Sequence, residues 1–212
     1  MIIAIDGSAA SGKGTLAKQL AQHLDLAHLD TGSLYRGVGL QLINAGLEAS
    51  TIKENQCVEI CSKLDLSLAS SPLIRSDKVA QMASVVAAMP AVRAALLEMQ
   101  RRFAAKPPYG VGAILDGRDI GTVVLPDADL KFFVDADIEV RADRRTKELL
   151  QAGQSVMFRH VLTDMQERDA RDRSRSAAPL RPADDAITID TSTMDRDAVL
   201  GLALSHVARI TG

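Results

Sequence analysis

Five short apolar runs along the 212-residue chain each close on an aspartate: "IIAID", "LAHLD", "GAILD", "LKFFVD" and "AITID", ending at Asp6, Asp30, Asp116, Asp135 and Asp190. Runs of this length suit strands buried on both faces. Helical spacing separates most of them. Leu16, Leu20 and Leu24 follow the first run; Leu34, Val38 and Leu42 follow the second and stop at Gly46. From Ser76 a helical pattern resumes, is interrupted at Pro90, restarts with Val92, Leu96 and Phe103, and ends at "KPPYG". Strands alternating with helices predict a doubly wound α/β fold, a parallel five-stranded sheet covered on both faces. Ligands in such folds bind beyond the carboxyl ends of the strands, so the five acidic ends are expected to converge on one crevice. "KLDLSLASSPLIR", residues 63–75, reads as a short extended excursion, and residues 50–75 as part of a small insert within one domain spanning 1–212.

Between the first strand and the first helix lies "GSAASGKGT", Gly7 to Thr15. Gly7, Gly12 and Lys13 fit G-x-x-x-x-G-K, in which successive backbone N–H groups wrap phosphate oxygens and the lysine reaches a terminal phosphate. The helix N-terminus behind the loop favours anions as well. The expected phosphate site is therefore Gly7, Ser8, Ala9, Ala10, Ser11, Gly12, Lys13, Gly14 and Thr15. A glycine-rich turn with no ligand is the alternative, and the strand and helix in register on either side weigh against it. Gly14 stands where the general motif has its hydroxyl, which comes one position later at Thr15. Mg²⁺ dehydrates reluctantly, so it is expected to be held mainly by phosphates, water and a nearby carboxylate.

Composition narrows the partners. With 47% hydrophobic residues and a formal net charge of -2, the chain suits a globular core and lacks the basic field of a protein that coats nucleic acid. No apolar run approaches the roughly 20 residues that span a bilayer, and Met1 leads into a strand without a basic leader, so a cytoplasmic setting is expected. Cys57 and Cys61, four apart on one helix face, have no further ligands at metal spacing and read as buried small hydrophobes. The four histidines are scattered and are assigned no chemistry.

Three charged stretches carry candidate chemistry. In "DTGSLYR", Asp30 and Thr31 sit at a strand end, Gly32 turns the chain and Arg36 lies one helical turn in, within reach of a second phosphate; a plain helix N-cap is the alternative. In "LDGRDIGTVVLPDA", Asp116 and Asp119 flank Arg118, and Gly117 and Gly121 let backbone approach a ligand; a charged turn is the alternative. In "ERDARDRSR", helical geometry puts Arg168, Arg171 and Arg175 at i, i+3, i+7 with Asp172 on their face. A solvated face is the alternative there. Because "SAAPLRP" follows as a loop, the run is expected to act as a mobile lid that supplies cations to a phosphate-transfer site. For Arg141, Arg144 and Arg145, surface and nucleotide contact both remain open.

Together, "IDGSAASGKGT", "LDTGSLYR", "ASVVAAMPAVR", "DGRDIGTVVLPDA" and "ERDARDRSR" with the following "APL" resemble the bacterial cytidylate kinases, of the nucleoside monophosphate (NMP) kinase branch of P-loop proteins, nearly end to end. The "GKGT" form is shared across that branch; "DGRDIGTVVLPDA" and the Arg/Asp run are more specific. The resemblance implies a P-loop kinase fold with an NMP-binding insert, shortened here between Leu64 and Val79, and an Arg-rich lid over residues 155–182. It implies transfer of the γ-phosphate of ATP, with Mg²⁺, to CMP or dCMP by a cytoplasmic monomer with no nucleic-acid or membrane partner. It places Lys13 and the loop amides on ATP phosphates, Thr31 and Arg36 on the CMP side, and Ser84, Arg93, Arg118 and Asp119 around the cytosine and its phosphate. Arg168, Asp172 and Arg175 take lid and sugar-side positions, Lys13, Arg168 and Arg171 are the catalytic cations, and no protein metal ligand is implied. Thr31 stands where several relatives have serine, which keeps the hydroxyl. Rival acceptors on the same fold are AMP, UMP, shikimate and dephospho-coenzyme A. A guanine-nucleotide switch would need an aspartate where "TKEL" has Leu149.

Overall fold

Each of the five apolar runs forms a strand: β1 (Ile2–Gly7), β2 (Ala27–Asp30), β3 (Ala113–Gly117), β4 (Leu130–Asp135) and β5 (Ile187–Asp190). The computed structural model describes residues 1–64, 68 and 71–211. The strands make a five-stranded parallel sheet in the order β2-β3-β1-β4-β5. Register sets Asp6 beside Gly117 and Phe133, and Asp135 beside Asp190, so the carboxyl ends of β1, β3, β4 and β5 share one edge. The helices are α1 (Lys13–Leu24), α2 (Thr31–Asn44), α3 (Glu54–Ser62), α4 (Asp77–Val86), α5 (Pro90–Ala105), α6 (Ile138–Gln151), α7 (Phe158–Ser174) and α8 (Arg196–Thr211).

The chain divides into two compact units, Met1–His28 with Pro107–Gly212, and Leu29–Lys106. In the first, Ile3, Ile5, Ile114, Phe132, Val134 and Ile189 of the sheet pack against Leu16 and Leu20 of α1 and Val199, Ala203 and Val207 of α8. A satellite cluster joins α6 to α7 through Ala142, Leu149, Val161 and Met165, and Ala9 and Ala10 of the glycine loop pack against it.

The second unit has its own core, from Leu34, Val38 and Leu42 of α2, Cys57 and Cys61 of α3, Met82 and Val86 of α4, and Val92 and Leu96 of α5. A Cβ on Gly39 would stand 3.2 Å from Ala83 N, so the glycine allows α2 and α4 to pack closely. Ser76 caps α4, its hydroxyl accepting from Val79 N at 3.4 Å, and Pro90 opens α5 where no amide is needed. Burial pushes the Cys61 thiol up to about 11 and raises that of Cys57, as expected of core thiols. Part of the excursion expected to be extended is instead a single 3-10 turn, Pro72–Arg75, because Ser71 Oγ accepts from Leu73 N at 3.3 Å and starts a helical turn. Residues 65–67, 69 and 70 of that excursion lie outside the described residues. Residues 50–75 fall inside the wider second unit. No single helix is long and apolar enough to cross a membrane among the described residues; α4 and α5 reach the length only as a pair bent by 99°.

Candidate active site

The glycine loop is shaped by three residues with positive φ. Gly7 still belongs to β1, and a Cβ there would fall 1.9 Å from Val134 O of β4. Ala10 (φ 57°) and Gly12 (φ 95°) adopt left-handed conformations. Left-handed residues alternating with ordinary ones make a concave array of backbone N–H groups that suits an anion. Gly12 is the N-cap of α1 with no side-chain cap, and its carbonyl accepts from Thr15 N and Leu16 N at 3.0 Å each. Lys13 Nζ donates to Ser8 O at 3.3 Å. Ser8 Oγ and Ser11 Oγ are buried with no hydrogen-bond partner among the described residues, a deficit that a ligand or water can make good.

Most of the strand-end aspartates tie down their own surroundings. Asp6 accepts from Ile120 N (2.7 Å) and Gly121 N (2.8 Å), which fastens a π-helical turn, Ile120–Val124, directly after "DGRD". Burial pushes its carboxyl up to about 6, against the lowering effect of those two amides. Asp135 accepts from Ala136 N at 2.9 Å, and Asp190 from Ser192 N at 2.8 Å. Asp116 differs. Its Oδ2 takes a 2.7 Å bond from His28 Nε2, while Oδ1 lies 3.9 Å from where a Cβ on Gly14 would stand. His28 thus orients a strand-end carboxylate that lies near Gly14 of the loop. No spacing could signal it, because the partner lies 88 residues away.

Arg118, Arg168 and Arg175 gather around Asp172. Arg118 Nε donates to Asp172 Oδ2 at 3.0 Å and Arg175 Nη1 stands 3.9 Å from Oδ1. Burial works to raise the Asp172 pKa, but the guanidiniums of Arg118, Arg168 and Arg175 prevail and hold it below the usual carboxylate range. Arg175 reaches the group by leaving the helix: α7 ends at Ser174, Arg175 turns to ψ 135°, and Leu180 N donates back to Asp172 O at 2.8 Å. Arg171, expected on the same face, is not among the guanidiniums that lower the Asp172 pKa. That side chain is 57% exposed and stands 3.7 Å from Glu167, an i, i+4 pair on the outer face. Asp119 is buried beside Arg118, and its carbonyl accepts from Val124 N at 3.2 Å, the i+5 bond that starts the π turn.

Of the α6 arginines, Arg141 is buried and Arg144 and Arg145 are half-buried. Arg141, 3% exposed, donates Nε to Ala136 O (2.8 Å), Nη2 to Asp169 Oδ2 (2.7 Å) and Nη1 to Ala9 O (3.3 Å). Arg144 donates Nη1 to Thr191 Oγ1 (3.0 Å) and Nη2 to Thr191 O (2.6 Å). Arg145 stands 3.0 Å from Glu148.

In the second unit, Asp30 occupies the N-cap of α2 but makes no side-chain cap; its carboxylate accepts from Arg36 Nη2 at 2.5 Å. A Cβ on Gly32 would lie 3.0 Å from both Arg36 Nη1 and Asp30 Oδ1, so glycine leaves room for the pair. Thr31 is buried at the start of α2. Arg93 donates Nη1 to Ala87 O at 3.2 Å and its guanidinium stands 5.8 Å from the Tyr35 ring centroid, a cation–π contact. Ser84 is half-buried on α4. Tyr35, one position before Arg36, escaped the sequence reading because its partner lies on another helix.

Comparison with known proteins covers the whole chain. The cytidylate kinase family model matches residues 3–209. A cytidylate kinase of Paramagnetospirillum magneticum is 52% identical over 207 residues, 97% of each chain. One of Azorhizobium caulinodans is 50% identical over 212 residues, 100% of each. A crystal structure of an uncharacterized protein from Eubacterium ventriosum, 15% identical, covers 98% of both chains at a TM-score of 0.54, a likeness of fold. A full-length match at half identity, on a chain whose phosphate loop and arginine cluster take the geometry above, has one reading: the chain belongs to the cytidylate kinase family.

Proposed function

We propose that this protein transfers the γ-phosphoryl group of ATP to CMP or dCMP, giving ADP and the nucleoside diphosphate. The observation that carries the reading is the grouping of Arg118, Arg168 and Arg175 on one buried carboxylate, in the same unit as a phosphate loop. The loop alone speaks only for phosphate. Three guanidiniums held by Asp172 speak for several negative groups brought together, as phosphoryl transfer requires.

The CMP phosphate already carries the attacking oxygen, so no enzyme nucleophile is needed, and the protein's work is alignment and charge neutralisation. Lys13 and the amides from Ser8 to Thr15 would hold the ATP phosphates, with Lys13 and Arg168 as the cations nearest the transferred group. Arg171, on the outer face, is given no step. Thr31, Arg36 and Arg93 would serve the CMP side, with Arg118 and Arg175 on its phosphate and sugar. Ser84 Oγ and the Asp119 carboxylate are acceptors suited to the C4 amino group that distinguishes cytosine from uracil. The residues present also fit a magnesium nucleotide. Asp116 Oδ1 lies 3.9 Å from where a Cβ on Gly14 would stand, and Thr15 is an exposed residue, so a carboxylate and a hydroxyl near the loop supply hard oxygen donors of the kind Mg²⁺ takes alongside water and phosphate. Bound there, Mg²⁺ would offset charge on the phosphate oxygens.

Initial rates with CMP, dCMP, UMP and AMP, in the presence of ATP and Mg²⁺, test the reading. CMP and dCMP are expected to react far faster than UMP, with discrimination up to about 10⁴ where a buried acceptor would be left unpaired. Preference for AMP would overturn the assignment of the acceptor.

A further inference from the structure

The α6 arginines grip the phosphate loop from behind. Arg141 Nη1 donates to Ala9 O at 3.3 Å, and Thr191 Oγ1 donates to Ser11 O at 2.8 Å, nearer than Asp135 O at 3.4 Å. Arg144 Nη1 in turn donates to the Thr191 hydroxyl. That bond leaves the hydroxyl proton to go elsewhere, and Ser11 O is the closer acceptor. Thr191 is buried directly after β5, and the remaining arms of Arg141 are fixed on Ala136 O and Asp169.

Peptide planarity turns these two contacts into an orientation. In a trans peptide the C=O of one residue and the N–H of the next point in opposite directions, and the described residues contain no cis bonds. Drawing Ala9 O toward Arg141 and Ser11 O toward Thr191 therefore turns the N–H groups of Ala10 and Gly12 to the other side, into the loop. Those are the two loop residues after Gly7 with left-handed φ, a region alanine adopts reluctantly. We propose that Arg141 and the Arg144–Thr191 pair are positioning residues that aim the Ala10 and Gly12 amides at the donor phosphates. The inference rests on reading the loop as the ATP site.

Calorimetric titration of the full chain with ADP, and separately with CMP, tests it. Thr191→Val keeps the side-chain shape and removes the hydroxyl. Loss of the aim on one amide is expected to weaken ADP about tenfold, leave CMP binding as in the unmodified protein, and be restored by Thr191→Ser. Unchanged ADP affinity in Thr191→Val overturns the proposal. So does equal weakening of both nucleotides that serine fails to rescue, which marks a merely structural role. If Thr191→Val does not fold, the same titration on Arg144→Met decides, with the same selective loss of ADP expected and unchanged ADP affinity overturning. An unmodified protein that does not bind ADP would sink the ATP-site reading itself.

Discussion

Asp6 meets two opposing demands: its carboxylate accepts two backbone N–H groups, yet it is buried, and burial raises its carboxyl from 3.8 to about 6. A carboxyl whose pKa is raised on folding contributes stability that is complete below the unfolded value and is lost as pH rises through the folded one. Relative to Asp6→Asn, which does not titrate, the protein is therefore expected to lose about 2 kcal/mol between pH 4 and pH 7; urea unfolding of both across that range measures it. Lys13→Ala is expected to lower kcat by about 10²-fold or more with an unchanged circular dichroism spectrum. Near-normal turnover in that variant would remove the lysine from the reaction. Lys13 was legible because its neighbours in sequence are its neighbours in space. His28 and Thr191 were not, since their partners lie 88 and 180 residues away and a single hydrogen bond leaves no periodic trace.

Strands were readable as short apolar runs ending in acid, and α1 as leucines at helical spacing. Where elements stop was harder to see. The π turn after "DGRD" depends on a carboxylate from β1, and the end of α7 before Arg175 depends on a carbonyl of Asp172 that recaptures Leu180 N. Both are tertiary acceptors, which is why the sequence drew Arg171 and Arg175 onto one continuous face. The junction of β1 with the phosphate loop is the most constrained. Gly7→Ala would drive a methyl to 1.9 Å from the Val134 carbonyl at φ 153°, so β1 and β4 must part or the loop must refold. That variant is expected to lose measurable ADP binding in a titration where the unmodified protein binds; retained affinity would mean the loop tolerates another path.

The division of the chain into two units, each with a core, was not legible: residues 50–75 stood out by pattern, but the second unit extends over Leu29–Lys106 because α2, α4 and α5 close on one another. Leu96 is fully buried there, and Leu96→Ala is expected to cost about 2–5 kcal/mol. Cys57 and Cys61, the chain's two cysteines, report on that core, so a thiol reagent at pH 8 should label the variant faster than the parent; equal rates would mean the core opens independently of Leu96. The sheet has a different consequence. β1 is flanked by β3 and β4, while β2 and β5 lie outermost. In deuterated water the amide protons of Ala4 and Ile5 should outlast those of β5, exchanging only when the entire sheet comes apart. A cradle rooted in that strand keeps its form between visits, so each arriving nucleotide meets a receptor that is already built.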